Sequence, residues 1–153
     1  MTAAMRNVAV LDSPKHALAY ARIFRGAAET MTAIWTDGDA HVIGTTLLPP
    51  PEGDIDSTVQ LMVDAGKKVA AVRAFLVHND PTNRLDLDEG SDYREFTQQV
   101  SDGLDAAGIQ FVDHLIVTPK QLVSLRQVID AERDDSTDGD PLAALLSQMN
   151  EAA

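Results

Sequence analysis

The stretch ETMTAIWTDGDAHVIGTT, Glu29 to Thr46, places two short apolar segments on either side of Asp37-Gly38-Asp39. An Asp-Gly step between two β-prone runs predicts a hairpin, because such turns need backbone conformations that Gly and Asp tolerate. The two strands should run from about Glu29 to Thr36 and from Ala40 to Thr46.

Helical patterns flank this hairpin. Upstream, Ser13-Pro14 has the form of a helix start, with Ser as cap and Pro at the first helical position. Ala17, Tyr20, Ala21 and Phe24 then recur at helical spacing, and Gly26 should end the run. Downstream, LLPPPEGD is a stiff loop, since three consecutive prolines remove three backbone donors. Ser57 with Gln60 gives a capping-box pattern, and Val59, Met62, Val63 and Ala70 mark the buried side of a second helix. Gly66 lies in that stripe, where a missing side chain would let a neighbouring element approach.

VRAFLVHN is an unbroken apolar run and should be a central strand. Tyr93, Phe96, Val100 and Leu104 mark a third helix that ends near Gly108. IQFVDHLIVT is a further strand, and LVSLRQV a short edge strand. The order helix, hairpin, helix, strand, helix, strand specifies an α/β domain with a mixed sheet. This domain is expected over residues 1–129. From Asp130 to Asp140 the sequence DAERDDSTDGD has the composition of an acidic linker. Leu142, Leu145, Leu146 and Met149 then make an amphipathic helix over 141–153, expected to pack on its own domain or on a twin subunit.

Composition narrows the chemistry. With 153 residues the chain can enclose one sizeable core, and the absence of cysteine removes thiolate nucleophiles and sulfur-ligated zinc. Any metal must be held by His, Asp or Glu, and there are four histidines: His16, His41, His78 and His114. A net charge of -12 argues against direct contact with a phosphate backbone, so nucleic acid would be reached through a partner. No apolar run approaches the roughly 20 residues that span a bilayer. The first residues lack the pattern of a secretory signal, so the expected location is cytoplasmic.

The central strand ends in His78-Asn79-Asp80 and runs into a loop with Asp86, Asp88, Glu89 and Asp92. Residues i and i+2 of a strand share a face, so His78 and Asp80 can converge on one divalent ion. Zinc accepts both donor types and commonly takes three protein ligands plus water in catalytic sites. The alternative is a polar strand end that caps loop amides. Asp92 likewise has an ordinary explanation, as a capping box with Glu95. His114, next to Asp113, is expected to be a hydrogen-bonded structural histidine, and His16 and His41 surface residues.

At these residues the chain resembles the RadC-like branch of the JAB/MPN (JAMM) metalloprotease fold, over roughly Ser13 to Gln127. In that family a glutamate opens the first hairpin strand and H-x-H closes a later one, followed by a serine and an aspartate at H-x-H-x7-S-x2-D. ETMTAIWTDGDAHVIG looks like the hairpin, with Glu29 at the glutamate position. AAVRAFLVHNDP looks like the H-x-H strand, LDAAGIQFVDHLIV is similar to the strand that follows, and LVSLR resembles the terminal one. The resemblance implies a cytidine-deaminase-like mixed sheet flanked by helices. It also implies a zinc held by two histidines and an aspartate, a glutamate base, an oxyanion-stabilising serine, and an association with DNA repair.

The departures fall on that chemistry. Asp80 stands where the second histidine would be, Asp88 at the serine position and Ser91 at the aspartate position. One inserted residue would bring Glu89 and Asp92 there instead, and counting back from Gly108 without gaps brings Tyr93 to the aspartate position. A carboxylate in place of an imidazole lowers the metal's Lewis acidity and shifts preference from Zn2+ toward Mn2+ or Mg2+. Two functions follow from the resemblance. One is a divalent-metal hydrolase of peptide or isopeptide bonds, with Glu29 as base and His78, Asp80 and Asp92 as ligands. The other, favoured by the lost histidine and displaced serine, is a degenerate scaffold that acts through a protein partner or as a homodimer.

Overall fold

The computed structural model describes residues 9–49, 54–83, 87–88 and 90–134. Ser13 opens the first helix, α1 (Pro14–Ala21), where its side chain accepts the His16 amide at 3.2 Å. A 3-10 turn over Arg22–Phe24 leads to β1 (Thr30–Thr36) and β2 (Val42–Leu48), the expected antiparallel hairpin. Strand β2 starts two residues later than the sequence suggests, because Asp37 organises a longer turn. Its Oδ1 accepts the amides of Asp39 and His41 at 2.9 Å each, and Ala40 takes the left-handed conformation at φ 67°.

Helix α2 (Ile55–Lys68) is capped by Asp54, whose carboxylate accepts the Asp56 and Ser57 amides. The cap is therefore three residues upstream of the expected Ser57. Strand β3 (Arg73–Asn79) follows, then α3 (Asp92–Ala106), β4 (Gln110–Val117), β5 (Leu122–Ser124) and α4 (Leu125–Asp134). The edge strand read from LVSLRQV is only its first part: from Leu125 the chain turns into α4. That helix runs through Asp134, five residues into the expected acidic linker, while residues 135–153 with the expected amphipathic helix lie outside the described residues.

The five strands lie in the order β2-β1-β3-β4-β5. Only β3 and β4 are parallel, with α3 as the crossover between them. Side-chain alternation sends two sets of apolar residues to opposite faces. Met31, Ala33, Trp35 and Leu76 pack against Met62, Phe96 and Leu104 on the face covered by α2 and α3. Ile34, Phe75, Val77 and Leu115 pack against Ala17, Leu18 and Ala21 of α1 on the other. Each such side chain contributes about 1.5–3 kcal/mol when fully buried. Gly66 serves the close approach expected of it: a Cβ there would lie 2.8 Å from Ile109 Cδ1 and 3.0 Å from Trp35 Cζ3. Gly103 does the same between α3 and α2, where a Cβ would meet Val59 Cγ1 at 2.3 Å. Among the described residues, no helix is long and apolar enough to cross a membrane.

Asp113 joins β4 to α4. Its Oδ1 accepts the amides of His114 at 2.7 Å and Arg126 at 3.0 Å, and its Oδ2 is bonded to the Ser124 hydroxyl. Burial raises its pKa from 3.8 to about 6, against the lowering effect of those three donors and of Arg126. A carboxyl that holds its proton more tightly when folded stabilises the fold below the unfolded pKa. That contribution is lost as pH rises through the folded value. The rise is worth roughly 3 kcal/mol. Urea stability of the wild type relative to Asp113→Asn, whose amide cannot ionise, is expected to fall between about pH 4 and pH 6.5. Parallel curves for the two proteins across that window would refute the assignment.

Candidate functional site

The pairing of β1 with β3 sets Met31 opposite His78 and Thr30 opposite Asn79. Glu29, the residue before β1, is thereby carried to the end of β3. His78 is buried, Glu29 is half exposed, and Glu29 Oε2 lies 2.6 Å from His78 Nε2. Asn79 fixes this approach from the far side of the sheet. Its Nδ2 donates to the carbonyls of Gly26 at 3.0 Å and Ala28 at 2.7 Å, pinning the loop that delivers Glu29.

The other nitrogen of His78 meets Tyr93. Ser91 caps α3 by accepting the Arg94 amide, so Tyr93 falls in the first helical turn and faces the strand ends. Tyr93 Oη lies 2.6 Å from His78 Nδ1 and 2.8 Å from Nε2 of His114, the fully buried histidine of β4. One helical turn on, Thr97 Oγ1 lies 2.7 Å from His114 Nδ1 and donates to the Tyr93 carbonyl at 3.0 Å. The Tyr93 ring stacks on both imidazoles, with centroids 5.4 Å from His78 and 4.7 Å from His114. The chain Glu29, His78, Tyr93, His114, Thr97 runs from a half-exposed carboxylate into the core.

Electrostatics follow from the burial. The Tyr93 hydroxyl is held well above its usual pKa of 10, first by desolvation and then by the negative charges of Asp80 and Glu29. His114 is pushed well below 6.5 by desolvation and by His78, which keeps it neutral. Proton placement is then constrained by donor counting. With the Thr97 hydroxyl donating to the Tyr93 carbonyl, His114 donates through Nδ1 to Thr97 and accepts the Tyr93 proton at Nε2. The Tyr93 oxygen then accepts from His78 Nδ1, and one proton is shared between His78 Nε2 and Glu29 Oε2. If Thr97 donates to His114 instead, every donor along the chain reverses as far as His78 Nδ1, which then accepts the Tyr93 proton.

A metal at His78 Nε2 would have to displace the proton that this nitrogen shares with Glu29. Asp80 is buried beyond the end of β3, where its amide donates to the Val117 carbonyl at 2.7 Å. Its Oδ1 accepts from the amide and the hydroxyl of Thr82, at 3.1 and 2.7 Å. Asp92 is the first residue of α3 and is exposed; the capping expected of it belongs to Ser91. Asp88 is exposed as well, and Asp86 and Glu89 lie outside the described residues. Among the described residues, no three His, Asp or Glu side chains come together as a metal cluster. The donor set as arranged does not fit a divalent ion.

The sequence-derived candidates thus divide. Glu29 and His78 touch, Asp80 acts electrostatically on the same hydroxyl, and Asp92 stands apart. The residue that spacing did not select was Tyr93, although the gap-free count back from Gly108 lands on it. Thr97 and Asn79 carried no sequence signal, because one looks like any helical threonine and the other like any polar strand end. His114 is the structural histidine expected of it, while His16 pairs with Asp12 and His41 with Asp37 on the surface.

No curated protein sequence matches the chain. Residues 10–131 match the family described as the RadC-like JAB domain, which is about four-fifths of the 153 residues. The five-stranded mixed sheet with a glutamate set against the histidine near the end of β3 agrees with that match, and the chain belongs to the RadC-like JAB domain family.

Proposed function

We propose that this JAB domain works as a metal-free module that acts through a protein partner, with its former metal centre converted into a buried hydrogen-bond chain. The observation that carries this reading is the state of His78, whose two nitrogens are engaged by Glu29 and Tyr93. Tyr93 Oη also reaches His114, so one side chain ties β3, β4 and α3 together. The family's association with DNA repair fits a role in which the net charge of -12 directs the domain to proteins rather than to bare duplex.

Metal analysis of the full chain after dialysis against Zn2+ or Mn2+ tests this. Content well below one ion per chain, unchanged by His78→Ala, is expected. A stoichiometric ion that disappears in the variant would overturn it.

The contact between Glu29 and His78 also supports a second reading, a metal-dependent hydrolase with Glu29 as base and His78, Asp80 and Asp92 as ligands. Tyr93 would have to withdraw from His78 for that site to assemble. The hydrolase reading requires metal-dependent amide cleavage that Glu29→Gln abolishes, and equal cleavage by the variant would end it.

A further inference from the structure

We propose that the cleft between the start of α1 and the start of α4 binds a small organic anion, with Arg73 and Arg126 gripping its charged head. The inference is independent of what the His78 centre holds.

The cleft has a volume of about 270 Å3, and Arg73, Phe75, Val112 and Arg126 line it beside the turn that opens α1. Arg73 is the first residue of the central strand β3 and is half buried. Its side chain makes no hydrogen bond or ion pair among the described residues, although the chain has 24 acidic residues to 12 basic ones. Its guanidinium therefore keeps all five donors for a ligand. Arg126 spends only Nη1, which donates to the Val112 carbonyl at 3.0 Å. Other arginines of the domain are used up structurally: Arg25 on the carbonyls of Thr118 and Gln121, and Arg94 on Leu87 and Glu132.

Neighbouring charges define what the cleft accepts. Asp113 already receives three donors, and the first amides of α4 are spent, Arg126 on Asp113 and Gln127 on Ser124. The positive charge offered to a ligand is thus that of the two guanidinia. Asp12, engaged by His16 at 2.6 Å, and exposed Asp130 also line the cleft. They would repel a polyphosphate or a nucleic-acid backbone, which restricts the ligand to a single anionic head.

Room for the rest of the molecule lies next door. A groove of about 800 Å3 between α3 and α4 shares Val112, Asp113, Arg126 and Asp130 with the cleft. Phe111 and Ile129 give it apolar surface, and Gln98 and Ser101 give it polar groups. Small-molecule sites commonly combine such features. Arg126 stands at the junction, so a head held in the cleft leaves its organic body in the groove. The guanidinium fork matches carboxylate and phosphate alike, and either can be that head.

The experiment follows the amide and arginine Nε–H signals of the full chain by NMR at constant ionic strength. The probes are acetate, inorganic phosphate, benzoate and phenyl phosphate. Benzoate or phenyl phosphate is expected to shift the signals of Arg73, Val112 and Arg126 saturably in the millimolar range, and the tighter of the two names the head. The corresponding probe without the ring should bind the same signals more weakly. Arg73→Gln and Arg126→Gln should each weaken binding at least about tenfold, while Arg22→Gln, at an exposed arginine of the 3-10 turn, should change nothing. Arg73→Lys and Arg126→Lys keep the charge but lose the fork; they should also bind more weakly and serve where a glutamine variant does not fold. Shifts that never saturate with any probe overturn the proposal. So does saturable binding that survives both variants, or that Arg22→Gln weakens equally.

Discussion

Tyr93→Phe is expected to lower the unfolding free energy by about 2–4 kcal/mol, a large effect for the loss of one oxygen. The ring stays, so the packing between His78 and His114 is retained and the loss isolates the hydroxyl. Removing it strips Nδ1 of His78 and Nε2 of His114 of their partner at once. Each orphaned buried polar group costs about 1–3 kcal/mol, while the bonds themselves are worth less. Rearrangement of protons along the chain cannot restore a partner, because among the described residues the Tyr93 hydroxyl is what bonds both nitrogens. Urea unfolding should show a lower midpoint with an unchanged slope. A shift worth less than about half a kcal/mol would mean that Tyr93 is a neighbour of the chain and not its centre.

Trp35→Ala should cost about 3–5 kcal/mol, the range for deleting a buried large aromatic side chain. Trp35 lies in β1, the second strand of the sheet, with no exposed surface, and its ring fills the space left by Gly66 of α2. Its Nε1 also donates to Thr46 Oγ1 at 2.9 Å, bridging the hairpin. For a domain of this size the loss corresponds to a melting temperature lower by roughly 6–20 °C. Since it is the sole tryptophan, the variant has no intrinsic indole signal and unfolding must be followed by circular dichroism. Trp35→Phe, which keeps an aromatic ring but loses the indole donor, should fall between the two. A drop of less than about 1 kcal/mol in Trp35→Ala would show that Gly66 and Ile109 close over the space.

Both effects depend on residues whose weight differs between sequence and structure. Trp35 was legible as part of an apolar strand, and Gly66 as a close approach, because each is dictated by local pattern: period two in a strand and a missing side chain in a helical stripe. His78 and Asp80 were legible because alternate residues of a strand share a face whatever the loops do, and Glu29 only through the family resemblance. Asp92 and Tyr93 are neighbours in a loop-to-helix junction, and there a single residue of displacement decides which one faces the sheet. The cap at Ser91 made that decision, through one hydrogen bond to the Arg94 amide that no spacing rule distinguishes from the box with Glu95.

By itself, the sequence determined the element order, the mixed α/β class, the hairpin and, through its resemblance, the family. All of these follow from hydrophobic period, turn chemistry and motif, which are properties of neighbours along the chain. Only the tertiary structure decided that His78 faces a tyrosine and not a third carboxylate. It also decided that Asp113 is a buried joint. Those outcomes turn on which residues from distant segments are desolvated together. A hydrogen bond or a charge has a large effect only where water has been excluded, and exclusion is a property of the assembled fold.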